Sequence, residues 1–302
     1  MKATKRLITL TAVVALLLSM ASCAAFGKKA AMTQKITADN IELTIRDDMK
    51  EDPSITEKGA TYITCYFWSG YGMNVGAVDA TEIKFSGKTA DETLMETLKN
   101  QKNVTELKKY GNIGYAEYTT TDSGKQYLFT DFIFDMGNQF YIVEFYTMSK
   151  SSAKYMNEYM TIVSSVKKIQ ELPESVEATL NGITMTLDGD AKESGSKAYI
   201  CGRYMASAYV YDVPANYSAK TFCKSLVETS GYKTVDGKPV TKINTTADGI
   251  SSFECFMNNM YAYHYAKTRG KKLVYVFFFT TKPADDELLA DFADIAAGAK
   301  LA

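Results

Sequence analysis

The second half of this chain repeats the first. Gln139 to Ile169 aligns without a gap onto Lys272 to Ala302, at an offset of 133. Val143, Phe145, Thr147, Ile162 and Lys167 meet Val276, Phe278, Thr280, Ile295 and Lys300. Apolar positions keep their type where identity is lost: Tyr155 meets Leu288, Met156 meets Leu289, and Tyr159 meets Phe292. Upstream the order continues with small insertions. Ile41 to Ile45 resembles Ile183 to Leu187, and Tyr62-Ile63 resembles Tyr199-Ile200. Leu94 and Leu98 match Phe222 and Leu226, and Ile113 and Glu117 match Ile250 and Glu254. A repeat of about 130 residues is long enough for each copy to be one domain with its own core.

Each copy reads the same way. Strands open it, with the alternation Ile41, Leu43, Ile45 in the first. A short helix follows, Ala90 to Gln101 or Ala219 to Thr229, with apolar residues at helical spacing. Aromatic, β-rich strands come next and end in Phe140 to Thr147 or Leu273 to Thr280. These last strands are apolar at nearly every position, as in a strand covered on both faces. A C-terminal helix closes each copy. Ser149, Ser151 and Ser152 offer N-caps in the first, Pro283 suits the first turn in the second, and Asp285, Asp286 and Glu287 favour the positive end of its dipole. The expected stripes are Tyr155, Tyr159, Ile162, Val166 and Leu288, Phe292, Ile295, Ala299. The fold class that follows is α+β: two tandem modules, each an antiparallel sheet packed by a short helix and a C-terminal helix. The modules span 35–169 and 176–302, joined by the short linker Gln170 to Ser175.

The N-terminus reads as an address. Lys2, Lys5 and Arg6 precede the apolar run Leu7 to Leu18, which is shorter than the ~20 residues of a spanning helix. Small residues then lead to Cys23 in Met20-Ala21-Ser22-Cys23. This looks like the lipobox of bacterial lipoproteins, with Met20 where the pattern prefers Leu. The likeness implies a signal peptide over 1–22, diacylation (palmitate) of Cys23, and a flexible tether over 23–34. The implied localisation is the extracytoplasmic face of the cell membrane, held by two acyl chains at about 0.8 kcal/mol per buried CH₂.

Without residues 1–22 the chain carries 31 basic and 35 acidic residues, a net of −4. No basic field exists to track phosphates, so nucleic acid is not an expected partner. The hydrophobic fraction of 46% suffices for packed cores and argues against disorder.

The strand–helix tail, Tyr141 to Phe145 through Ile162 to Lys167, resembles the PsbP-like superfamily, and Ile41 to Met49 extends the likeness. The chain departs from that pattern in lacking a Pro-x-Gly-Trp-type turn after the first strand. The resemblance implies adaptor or assembly roles for a binding module and names no ligand.

Candidate chemistry is sparse. Cys65, Cys201, Cys223 and Cys255 show no C-x-x-C spacing, so zinc and thioredoxin-like readings are poor. Cys223 stands in the slot of Met95 and Cys255 in that of Tyr118, as small apolar core residues would. A Cys223–Cys255 disulfide is the competing reading. His264 is the sole histidine, matches Asp131 of the first copy, and reads as a strand residue without a chemical role. Tyr261, Tyr263 and Tyr265 alternate and share one face. They form either a core wall or an aromatic platform for a sugar or peptide, and Trp68 beside Tyr66, Phe67 and Tyr71 is a second aromatic cluster open to the same two readings; the wall is the simpler one for both. The paired acids Asp47-Asp48 and Asp285-Asp286 lack the separation of a glycosidase pair. No catalytic set, metal site or cofactor is therefore expected. The expected function is a non-enzymatic, membrane-anchored binding or adaptor module for an envelope protein, peptide or glycan. The alternatives are a solute-binding receptor lipoprotein and an envelope-polymer hydrolase using Asp or Glu.

Overall fold

The structure is a computed structural model that describes residues 30–51, 61–68, 70–122, 124–148, 150–195 and 197–302. Cys23 and the signal region lie outside the described residues. Among those described, no helix is long and apolar enough to cross a membrane.

The chain forms two compact units. One holds the described residues up to Ala80 together with Lys88–Glu171, and the other holds Thr81–Gly87 together with Leu172–Ala302. In chain order the first repeat gives β1 (Met32–Ala38), β2 (Ile41–Arg46), β3 (Lys50–Glu51), β4 (Thr61–Phe67) and β5 (Gly72–Asp79). Helices α1 (Thr81–Phe85) and α2 (Ala90–Leu98) follow. Then come β6 (Lys108–Tyr110), β7 (Ile113–Asp122), β8 (Lys125–Asp135), β9 (Gln139–Thr147), α3 (Met156–Ser164) and β10 (Lys167–Lys168). The second repeat gives β11 (Ser175–Leu180), β12 (Ile183–Asp188), β13 (Lys192–Glu193), β14 (Tyr199–Ile200), β15 (Met205–Asp212) and α4 (Ala219–Ser230). It ends with β16 (Asn244–Thr245), β17 (Ser251–Met257), β18 (Met260–Arg269), β19 (Lys272–Thr280), α5 (Asp286–Gly298) and β20 (Lys300–Leu301).

The two units have one topology. The first contains a seven-stranded sheet, β3-β4-β5-β9-β8-β7-β6, and a three-stranded sheet, β1-β2-β10. The second contains β13-β14-β15-β19-β18-β17-β16 and β11-β12-β20. Adding ten to each strand number turns one arrangement into the other. The expected α+β class is thus observed, but each unit divides its strands between two sheets where the sequence suggested one. The small sheet joins a hairpin to a two-residue strand that returns more than 100 residues later, a pairing that local patterning does not reveal.

In the first unit the small sheet and α3 cover one face of the large sheet. Ile41, Leu43 and Ile45 meet Val75, Phe132, Val143 and Phe145, with Tyr159 and Ile162 from the helix. In the second, Ile183, Met185 and Leu187 meet Ala206, Val276 and Phe278, with Phe292 and Ala296 from α5. The repeat offset places one aromatic stack in each core. Phe145 lies on Tyr159 at 4.0 Å, and Phe278 on Phe292 at 4.2 Å between ring centroids. Full burial of such a ring contributes about 1.5–3 kcal/mol.

The opposite face is covered by α2 or α4. Because both faces are buried, β9 is apolar almost throughout. Local chemistry sets the helix ends. Thr89 and Glu92 form a capping box on α2, which ends at Leu98, three residues earlier than expected. Ser218 caps α4, and Gly231 closes it at φ +62°. Asp285 caps α5 by accepting from the Leu288 N–H at 2.9 Å, so Pro283 lies before the helix and not in its first turn. Ser151 caps the short 3₁₀ turn Ser152–Lys154, and α3 starts from Tyr155 without a side-chain cap. The β11–β12 hairpin turns on Asn181-Gly182, both at positive φ, as a two-residue loop requires.

Candidate functional site

The chemistry-bearing residues gather at the centre of each large sheet, on the face beneath α2 or α4. Strand register aligns them into one cross-strand row. In the first unit the row reads Asn74, Glu144, Asp131, Ala116 across β5, β9, β8 and β7. In the second it reads Ser207, Phe277, His264, Phe253 across β15, β19, β18 and β17. Tyr118 and Cys255 are equivalent additions, two residues further along β7 and β17.

The first row is acidic and sealed. Asp131 and Glu144 are 3% and 1% exposed. Glu144 Oε1 accepts from Asn74 Nδ2 at 2.6 Å, and its Oε2 accepts from the Tyr118 hydroxyl at 2.9 Å. Asp131 Oδ1 and Asn74 Oδ1 have no hydrogen-bond partner. Burial pushes the Glu144 carboxyl up to about 7, although both hydrogen bonds oppose the shift. Burial, then the neighbouring Glu144 charge, pushes Asp131 well above the carboxylate range. Among the described residues neither acid has a cationic partner.

The second row is aromatic. His264 is 1% exposed and lies against Phe253 at 4.4 Å between centroids, nearly parallel. Tyr232, Tyr275 and Phe277 surround it at 5.3–5.9 Å. Its Nε2 lies 3.3 Å from Cys255 Sγ, and its Nδ1 lies 2.5 Å from the Tyr275 hydroxyl. Burial holds the imidazole neutral, down to about 3, and pushes the Cys255 thiol up to about 12. The proton therefore stays on sulfur, and a thiolate–imidazolium pair does not form.

Cys201, Cys223 and Cys255 are free and buried, so Cys223 and Cys255 are not bonded to each other. The Cys223 thiol donates to the Ser251 carbonyl at 3.6 Å. Among the described residues no group of three or more His, Cys, Asp or Glu is placed to hold a metal ion.

The aromatic residues singled out by sequence fall in two places. Tyr261, Tyr263 and Tyr265 do share a face, and it is the face beneath α5. Tyr263 is 4% exposed, and its hydroxyl accepts from the Ala284 N–H at 2.8 Å. Tyr261 and Tyr265 are half-buried beside Phe256 and Phe278. Trp68 stands apart from them, in the first unit. The Arg46 guanidinium lies 3.7 Å over its ring and reaches Asp48 with two 2.8 Å bonds and Glu158 at 3.1 Å. Gly70 makes room for this arrangement, since a Cβ there would collide with the Trp68 ring.

At an offset of 133, Cys201 replaces Trp68 and Arg203 replaces Gly70. Arg203 reaches Asp291, the equivalent of Glu158, at 2.9 Å, and Asp188 at 3.1 Å. The two units thus bind the same acid of the closing helix with cations from different strand ends. Beside Arg203 a groove of about 720 Å³ is lined by Glu174, Asp188, Glu287, Asp291 and Asp294. Sequence reasoning matched Asp131 to His264 but missed Asn74 and Glu144, whose place in the row depends on register.

No family model matches the sequence, and no curated protein matches it. Several solved structures share partial likeness. A protein of Bacteroides thetaiotaomicron VPI-5482 is 14% identical, with a TM-score of 0.31, over 50% of this chain and 56% of its own. The chain thus spans about half the length of that protein. Cyanobacterial PsbP from Synechocystis sp. PCC 6803 is 10% identical, with a TM-score of 0.29, over 49% of this chain and 98% of its own. The immunity protein TplEi of a type VI secretion system of Pseudomonas aeruginosa is 8% identical, with a TM-score of 0.22, over 88% of this chain and 96% of its own.

Proposed function

We propose that the chain is a lipid-anchored extracytoplasmic lipoprotein whose two PsbP-like modules bind an envelope protein, peptide or glycan without transforming it. The observation that carries this reading is where the reactive side chains lie. His264, Asp131, Glu144, Cys201, Cys223 and Cys255 are all buried in sheet cores, beyond the reach of a polymer or peptide. The surface instead offers the half-buried Trp68 and the acidic groove beside Arg203, features suited to contact. The sequence pattern ending at Cys23 supports the anchor, and two modules on one tether would raise avidity.

Two measurements test the reading. Cells fed an alkyne analogue of palmitate should label the wild-type chain but not Cys23→Ala, which should leave the membrane fraction. Cross-linking in intact cells should capture one specific envelope partner, lost on Trp68→Ala or on Asp291→Lys. Capture unchanged by both, or turnover of an envelope polymer by the purified mature chain, would overturn it.

A further inference from the structure

We propose that Asp131 and Glu144 act as one proton-holding pair, and that the first unit stays folded around them only while Asp131 keeps its proton. Three observations lead there. The two carboxyls stand directly opposite each other on β8 and β9 and share the face beneath α2. Both are buried, and no cation among the described residues compensates them. The available donors converge on one acid only: Asn74 and Tyr118 both give to Glu144, while Asp131 Oδ1 receives nothing.

That asymmetry divides the roles. Two neutral donors stabilise charge on Glu144. A second charge on Asp131 would sit beside it, dry and without a donor. Like charges so placed do not both ionise, so Asp131, the acid without donors, keeps its proton.

Among the described residues the row holds no other carboxyl and no cation. From β5 comes Asn74, with Cys65 opposite it in the register on β4. From β7 comes Tyr118, whose hydroxyl burial pushes far above its ordinary range. Tyr127 lies four residues back along β8, and Tyr146 two residues on along β9. The charges of α2 are turned to its rim: Asp91 pairs with Lys109, Glu96 with Lys88 and Lys99, and Glu92 caps Thr89. The inward-facing Thr93 and Thr97 hydroxyls give to carbonyls of their own helix.

In the unfolded chain Asp131 is an ordinary, ionised aspartate. Folding at neutral pH therefore takes up a proton, and the folded unit weakens as that proton becomes scarce. Trp68, the sole tryptophan, belongs to this unit and reports on it alone. The experiment is urea unfolding of the full mature chain, read by tryptophan fluorescence from pH 7.5 to 9. The unfolding constant of wild type should rise about tenfold per pH unit. In Asp131→Asn, which keeps the shape and removes the acid, it should stay flat over the same range. A flat wild type, or a slope that survives in Asp131→Asn, overturns the proposal. Should Asp131→Asn fail to fold, the infrared spectrum of the wild type decides. A protonated carboxyl stretch at pH 8 that moves on aspartate-specific ¹³C labelling is expected, and its absence overturns the proposal equally.

Discussion

At the same four register positions the first unit carries Asn74, Glu144, Asp131 and Ala116, and the second carries Ser207, Phe277, His264 and Phe253. One backbone arrangement thus accommodates two opposite solutions at its centre. The first buries acid and must keep it protonated or bonded to neutral donors. The second buries a base among rings and must keep it uncharged. In both, burial works against the charged form, so the two units respond to pH with opposite sign. For Glu144 the folded group is raised to about 7. Its stabilisation is complete below the ordinary carboxylate range and is lost as pH rises towards 7. For His264 the folded group is lowered from 6.5 to about 3. Its stabilisation is complete above 6.5 and is lost as pH falls towards 3.

Substitutions at matched positions can break or sharpen this comparison. The largest effect belongs to the shared core stack. Phe145→Ala and Phe278→Ala should each cost about 3–5 kcal/mol, and each should weaken only its own unit. Trp68 fluorescence in urea reads the first, and pulsed thiol labelling at Cys223 and Cys255 reads the second. Equal losses in both units from either substitution would mean that the halves unfold together.

The next effect is the acid arm of the second unit. Between pH 6.5 and 3, wild type should lose on the order of 4 kcal/mol in the thiol-labelling readout. His264→Phe should remove that dependence while retaining the stack on Phe253. An unchanged acid arm would locate it elsewhere.

The smallest effect separates the two helix clamps. The Arg46 side chain is 5% exposed and holds two carboxylates, whereas that of Arg203 is 49% exposed. Arg46→Ala should cost about 2–3 kcal/mol, more than a surface pair because a buried guanidinium and its stacking are both lost. Arg203→Ala should cost about 0–1 kcal/mol. Equal costs in urea titrations would show that burial is not what distinguishes the clamps.

The sequence carried the architecture further than the site. The gapless offset of 133 matched Phe145 with Phe278 and Tyr159 with Phe292, and within each unit these residues form the core stack, Phe145 on Tyr159 and Phe278 on Phe292. It also matched Asp131 with His264. The importance of that match was hidden because Glu144 and Asn74 become neighbours only through the register of β8, β9 and β5. Alternation correctly put Tyr261, Tyr263 and Tyr265 on one face, yet it could not say that α5 lies over it. The Arg46–Trp68 contact was illegible for the same reason: it joins the end of β2 to the turn beyond β4, more than 20 residues away.

The flanks of the large sheets have a consequence for solubility. Each seven-stranded sheet ends on both sides in a strand of only two or three residues: Lys50–Glu51, Lys108–Tyr110, Lys192–Glu193 and Asn244–Thr245. Three of the four begin with lysine. So short a rim leaves few open amides and carbonyls for a neighbouring molecule to zip onto, and its charges repel an approaching strand. Chains crowded side by side at high local density would thus be guarded against amyloid-like stacking, and lengthening one of these rims without charge would be the direct way to provoke it.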